Sequence, residues 1–520
     1  MASLTSESSQ RALNRSPVAP VEDVHHGRRQ RELPDRSVDF AGIALGLALC
    51  ASIAAWFSSI RSALWLDETI SYWQISGGFW RIWERQGLSS PSYAYILWAT
   101  NRLFGSNEIV LRMPSVLAMV AATYVLYLIA REFFNPDIAA IVAVIFCLHP
   151  TVAFAAVDAR PYAFAVLVVN CAILSFLRFM KIDSMRNAIL LGASAAAIFY
   201  FHYLFGLLLP ALALVFFARK GREWKRFVPK LATAGIVFSV MILPVVTRLV
   251  YLFRTGQSHV FDRAPQIGDL MFTLAPGHVL ALLFIGTIFV AAMLRKLENP
   301  SQESLRAGLA CLLLAAIPLG VLYDVSTLTS IHVFTDRYRL VAVPGIALCW
   351  GFLATCVRSK AIRTGFCVAL VVFTFSRFSF ATLTIDDPHG YTWKYALQVA
   401  DKSAAVDNAP LLICSDLPES NFESMPADVY AATDGDFAPI FYYKVHSRVV
   451  PLPRVLNRET VTQINKFLAT ATPAKQRFLV LGFVFSNQTL DWITRRTKDA
   501  YLAQNLGTTD GVTVMEYKPR

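Results

Sequence analysis

Residues 64–73 read LWLDETISYW, with two adjacent carboxylates, Asp67 and Glu68, set among aromatic and aliphatic side chains. They lie only a few residues beyond 41–60, a run with no charged residue. A run of roughly 20 apolar residues is long enough to cross a bilayer. The acids therefore sit at a membrane surface, where an ionisable group is costly unless it has a task. The plain alternative is a solvated pair, or a cap on a juxtamembrane helix.

The rest of the chain repeats the apolar pattern. Of 520 residues, 55% are hydrophobic and 16% charged, and the mean hydropathy is +0.47. Soluble domains carry about 25% charged residues, so the class is a polytopic α-helical membrane protein. Residues 1–40 are polar, rich in Arg and Ser, and lack the apolar core of a cleavable signal, so they read as a disordered cytoplasmic tail. The net charge of +12 does not point to nucleic acid. In the apolar part, lysines occur only at Lys181, Lys220, Lys225, Lys230, Lys296 and Lys360, each in a short loop between apolar runs. That distribution marks cytoplasmic loops. The eight cysteines form no CxxC pair, and seven lie in apolar runs, which indicates neither a disulfide framework nor a zinc site.

Candidate spans are 41–60, 113–130, 138–157, 161–177, 231–247, 278–294, 307–323, 340–357 and 364–384. The stretch 187–218 is too long for one helix and reads as a hairpin turning near Tyr200–Tyr203, which brings the total to eleven. Pro91–Phe104 is too short to span and suits an interfacial helix. With the tail cytoplasmic, this arrangement places all six lysines inside and the Asp67–Glu68 loop, 61–112, outside. Also outside are the turn at Asp158–Arg160 and everything after about residue 385. Runs such as LLICS (411–415) and FLVLGF (478–483), interleaved with helical patterns near 393–406, 458–470 and 488–499, make 386–520 a soluble α/β domain. No internal repeat is visible, unlike inverted-repeat transporters.

Further polar residues gather on the same expected face. Asp158 and Arg160, in VDARPYAF (157–164), stand between two uncharged runs. Arg337 and Arg339 flank Tyr338 in FTDRYRLVAVPG (334–345), and arginine suits bidentate phosphate binding. His202, in YFHYLFG, is a lone histidine in an apolar hairpin, equally suited to packing. Arg112, in LRMPS, suits an interfacial anchor equally well as a functional role, and His149 reads as structural. Trp65, Tyr72, Tyr93 and Tyr95 belong to an interfacial aromatic belt, and their faces can also stack on a sugar ring. No metal site is evident. Asp67, Glu68 and Asp158 can each coordinate a divalent cation, but carboxylates on separate loops do not indicate one.

Taken in order, the motifs are a span, DE in an outer loop, RxPS opening the next span, ARPYA, an apolar HY pair and a late RY. This set resembles the GT-C superfamily of membrane glycosyltransferases over roughly residues 40–385. It is most similar to the branch with protein O-mannosyltransferases, the lipid A aminoarabinose transferase and lipopolysaccharide-core galacturonosyltransferases. The resemblance implies an enzyme of the plasma (inner) membrane, with its C-terminal domain extracytoplasmic. It would transfer a sugar, with inversion, from a polyprenyl-phosphate-linked donor to a hydroxyl or phosphate of a glycan, glycolipid or protein acceptor. It implies Asp67 as catalytic carboxylate with Glu68 beside it. It also implies Asp158, Arg160, Tyr162, His202, Arg337 and Tyr338 near the donor, membrane lipid as a partner, and no cofactor. Relatives show a PPLYY-like stretch where this chain has SPSYAY (90–95), so the acceptor is the least transferable part. A flippase for lipid-linked glycans would place ionisable groups near mid-membrane, and a glycan polymerase or ligase would put its long outer loop between late spans.

Overall fold

The structure, a computed structural model, describes residues 40–84, 90–255, 263–275, 278–297, 299–383, 392–414, 435, 437–452, 456, 458–483 and 487–520. The expected tail, up to residue 39, lies outside the described residues.

The apolar stretches form helices. α1 (Phe40–Trp56) is followed by three shorter helices, α2 (Leu66–Ser76), α3 (Arg81–Glu84) and α4 (Pro91–Phe104). Pro91 opens α4 at the first helical turn, where its missing N–H leaves no bond unmade. Next come α5 (Glu108–Arg131), α6 (Pro136–Leu148), α7 (Pro150–Ala156) and α8 (Tyr162–Lys181). Asn107 and Asn135 start α5 and α6 by accepting from backbone N–H groups that lack helical partners. Pro150 cannot continue the ladder of α6, and α7 leaves at 70°. The 187–218 stretch breaks at His202 between α9 (Met185–Phe201) and α10 (Leu208–Lys220).

α11 (Val228–Thr255), α12 (Ile267–Leu274), α13 (His278–Met293) and α14 (Gln302–Leu328) follow, then short α15 (Asp336–Arg339), α16 (Val343–Thr355) and α17 (Lys360–Leu383). Helix occupies every stretch expected to span. Among the described residues, five helices are long and apolar enough to cross a membrane, or seven if each of two bent pairs counts as one span. The count of eleven is larger because it admits the shorter α1 and α9 and divides Tyr203–Thr247 into two spans. The bundle core joins α5, α6, α8, α14 and α16 through residues such as Met119, Phe146, Val169, Leu314 and Ala347. Glycine lets helices meet backbone to backbone: a Cβ on Gly345 of α16 would lie 2.5 Å from the Ala315 nitrogen of α14.

The C-terminal part is a five-stranded mixed sheet in the order β2-β1-β3-β5-β4. In chain order it runs α18 (Lys394–Ala404), β1 (Leu411–Cys414), α19 (Ala438–Tyr442), β2 (Val449–Leu452) and α20 (Arg458–Ala471). β3 (Phe478–Phe483), α21 (Asn487–Thr497), β4 (Tyr501–Thr509) and β5 (Val512–Pro519) complete it. β1 lies parallel to β2 and β3 and is buried at every position, as its unbroken apolar run requires. Leu411 and Ile413 face α18, whereas Leu412 faces α20 and α21. The tight β4–β5 hairpin turns at Asp510–Gly511, both with positive φ, 51° and 80°, as a two-residue turn matching strand twist demands. The expected strands and helical patterns coincide with β1, β3, α18, α20 and α21. β2, β4 and β5 are further strands that the sequence reading did not single out.

Candidate active site

The LWLDETISYW stretch forms most of α2 and the two residues entering it. The Trp65 backbone N–H donates to Glu68 Oε2 at 3.2 Å, closing the first turn from within. Glu68 is also the anchor of the site. Arg112 donates to it through Nε at 2.7 Å and Nη2 at 2.6 Å, and the Ala159 N–H donates at 2.8 Å. Both side chains of the pair are 0% exposed. Arg112 spends its remaining donors on the coil before α2, reaching the carbonyls of Ser59, Ile60, Ser62 and Ala63.

Two sequence expectations change here. Of the two readings open for Arg112, the interfacial anchor falls away, because it is sealed inside the fold as the knot that ties the 59–63 coil to α2 and, through Glu68, the Asp158–Arg160 turn. Glu68 does not present a second carboxylate to a substrate. Neighbours in a helix point about 100° apart, so Asp67 and Glu68 diverge, and Glu68 turns inward to a charge it must neutralise.

Asp67 faces the other way. Its Oδ2 accepts from Arg337 Nη1 at 2.5 Å and lies 3.8 Å from Arg160 Nη2, with 17% of the side chain exposed. Arg160 also donates to the Asp67 carbonyl at 3.2 Å and to Ser71 Oγ at 3.4 Å, holding the guanidinium along α2. The Arg337 guanidinium lies over the Trp65 ring at 5.7 Å and the Tyr338 ring at 5.9 Å. The Trp65 indole N–H donates to Asp158 Oδ1 at 3.1 Å. Asp158 is fully buried, and burial, with the Glu68 carboxylate nearby, pushes its acid well above the usual carboxylate range. His202 packs between the rings of Tyr162 and Tyr338, at 5.4 and 5.1 Å. Burial, then Arg160 and Arg337, push its pKa down to about 3, so it is neutral.

Residues from four separate junctions thus meet: the entry to α2, the α7–α8 turn, the break after α9 and the α14–α15 junction. Asp67, Trp65, Asp158, Arg160, Tyr162, His202, Arg337 and Tyr338 form one connected group. Arg339 does not join it. Two positions beyond Arg337 it points away, donating to the Asp269 carbonyl at 2.9 Å and to Thr273 Oγ1, and so docks α12. His149 supports the same contact, with Nε2 3.1 Å from the Thr273 carbonyl, which makes it structural as expected.

Of the aromatic candidates, Tyr93 is 0% exposed and packs with Leu64, Leu97 and Leu111, so its ring is core and cannot stack on a ligand. Tyr95 packs against Phe79, and Tyr72 meets Tyr442 edge to face at 4.9 Å. Among the described residues no group of three or more His, Cys, Asp or Glu is placed to hold a metal ion. Sequence reasoning missed Tyr442 and Tyr443, which reach the entry to α2 from the C-terminal part. Their signal, two tyrosines closing the apolar run FAPIFYY (437–443), carries no information about a partner 379 positions away.

No curated protein matches the chain by sequence. A family model described as dolichyl-phosphate-mannose-protein mannosyltransferase matches residues 89–247, the segment that contributes Arg112, Asp158, Arg160 and His202. Two solved structures of ArnT from Cupriavidus metallidurans share the fold. The apo state is 12% identical, covering 92% of this chain and 98% of that one, with a TM-score of 0.56. The state bound to undecaprenyl phosphate is 13% identical, with the same coverage and TM-score. Over residues 89–247 the chain is thus similar to that mannosyltransferase family, and over most of its length it shares the fold of ArnT.

Proposed function

We propose that the protein transfers a sugar from a polyprenyl-phosphate-linked donor to a hydroxyl of a glycan, glycolipid or protein acceptor, with Asp67 as general base. In this reading the site lies at the extracytoplasmic face of the inner membrane and the N-terminus is cytoplasmic. The observation that carries the reading is the contact of Asp67 with Arg337 at 2.5 Å, with Arg160 close behind. One carboxylate between two arginines supplies a base and an anion site side by side.

The arginines hold the donor phosphate, and the ArnT structure with undecaprenyl phosphate supports a lipid phosphate as the anion. Arg337 moves from Asp67 to the phosphate, which frees the carboxylate as the donor arrives. Asp67 then takes the proton of the acceptor hydroxyl, and the acceptor oxygen attacks the anomeric carbon from the face opposite the phosphate. The anomeric C–O bond to phosphate breaks, its electron pair leaves with the lipid phosphate, and configuration inverts. A positioned base contributes about 10²–10⁴-fold, and fixed arginines stabilise the charge growing on the leaving group.

The other residues position these groups. Asp158, kept uncharged, holds the Trp65 indole under Arg337 without repelling a phosphate. Neutral His202 shapes the wall with Tyr162 and Tyr338. Glu68, placed by sequence beside Asp67 as a catalytic acid, acts here through Arg112 by fixing the start of α2. Trp65 and Tyr72 remain sugar-contact candidates, and Tyr93 drops out. The charged groups cluster at helix junctions instead of mid-bundle, which favours transfer over flipping.

The test is transfer from synthetic polyprenyl-phosphate sugars to a membrane glycolipid extract. Wild type and Asp67→Asn are compared at matched thermal stability. Loss of turnover with retained donor binding is expected. A folded Asp67→Asn protein with normal turnover would sink the assignment.

A further inference from the structure

The C-terminal part touches α2 more closely than a covering domain needs to, and the contacts converge on the residues just before Asp67. The Leu64 N–H donates to the Tyr443 hydroxyl at 2.6 Å, and that hydroxyl lies 3.4 Å from the Leu64 carbonyl. Trp65 makes an isolated antiparallel β-bridge with Thr392. Leu64 therefore satisfies its backbone N–H through the C-terminal part, and Trp65 lies against the same part through the bridge.

The opposite side of α2 is held in the same way. Ile70 and Trp73 form a buried cluster with Ala438 of α19. Gly435, with φ at +78°, passes so close that a Cβ there would lie 3.1 Å from the Trp73 ring. Tyr442 donates to the Ser106 carbonyl at 2.7 Å, and Lys394 pairs with Glu108 at 2.9 Å. These contacts pin the C-terminal part to the loop before α5 and to its first residue.

We infer that the C-terminal domain is a positioning element for the reaction, with Tyr443 setting the place of Asp67 through the backbone of Leu64. The inference rests on the proposed role of Asp67. Leu64 is fully buried, so its N–H finds no water if the hydroxyl is removed. The coil then relaxes, and Asp67 moves with it. A displacement of about 1 Å between reacting groups costs about 100-fold in rate.

The test compares Tyr443→Phe with Tyr501→Phe in the full-length protein. Tyr501 lies on the far side of the sheet and donates to the Gln476 carbonyl at 3.1 Å, so its substitution removes a tyrosine hydroxyl from the same part without touching α2. Expected is a 10- to 100-fold fall in kcat for Tyr443→Phe at unchanged donor KM. Tyr501→Phe should lose thermal stability at most and keep kcat. Gly435→Ala, which pushes Trp73 from the other side, should lower kcat in the same direction and keeps the test open if Tyr443→Phe does not fold. Equal kcat for both tyrosine variants, or a fall that only tracks the folded fraction, would overturn the inference. Absence of transfer by wild type itself would instead remove the proposed function.

Discussion

Glu68 and Arg112 close a two-pronged ion pair, at 2.7 and 2.6 Å, with neither side chain reaching solvent. Breaking such a pair strands a charge in a dry site, at about 3–5 kcal/mol. Glu68→Gln is therefore expected to unfold at markedly lower temperature in detergent, whatever its effect on turnover. The double variant Glu68→Gln with Arg112→Met should recover much of that loss. A Glu68→Gln protein as stable as wild type would contradict the anchoring role.

Arg337 makes the closest contact with Asp67 and is assigned to the donor phosphate. One charge-assisted hydrogen bond contributes about 1.5–3 kcal/mol, so Arg337→Gln should raise donor KM roughly 10–100-fold. Arg337→Lys keeps the charge but loses the planar fork and the stacking over Trp65, so it should fall between the two. An unchanged donor KM in steady-state kinetics would remove Arg337 from the phosphate site.

Asp158 differs in kind from Asp67. Because its folded-state pKa is raised above the ordinary 3.8, the folded protein holds its proton more tightly than the unfolded chain. The stability this gives is present below that ordinary value and is lost as pH rises through the folded pKa. Asp158→Asn mimics the neutral acid, can still accept from Trp65, and should keep most of its turnover. Its stability should also fall less than that of wild type as pH rises from about 4 to about 8. Asp158→Ala should lose activity by releasing the indole. Equal loss in both variants would mean that Asp158 works as an anion.

His202 titrates in the opposite sense. Its pKa falls from 6.5 to about 3 on folding, so the unfolded chain gains a proton first as pH drops. Stability should decline between those values on acidification, and His202→Gln should remove part of that decline. Thermal midpoints at about pH 7 and about pH 4 for both proteins measure it. In the pH–rate profile, His202→Gln should leave the shape near neutrality unchanged. A lost limb there would show that the imidazole exchanges protons during turnover.

Much of the candidate site was legible because its residues break an apolar pattern. Asp67, Asp158, Arg160, His202 and Arg337 each interrupt greasy surroundings, and a charge beside a bilayer needs a reason. Arg112 carried the same signal and suited an anchor equally well, because sequence shows that a charge is present but not which way it turns. The same limit applies to Arg339, which looked equivalent to Arg337 and points away, and to Tyr93, an aromatic whose ring lies in the core.

The sequence by itself determined the membrane class, the helical stretches, the α/β character of the C-terminal part and the ionisable residues that interrupt the apolar pattern. Those follow from hydrophobic length and period, which are local properties of the chain. Only the tertiary structure decided that Glu68 pairs inward with Arg112 while Asp67 meets Arg337, and that Tyr443 holds the entry to α2. Such pairings join residues 44, 270 and 379 positions apart. They depend on which buried charge and which buried N–H are left without water once the helices pack, and no local pattern encodes that.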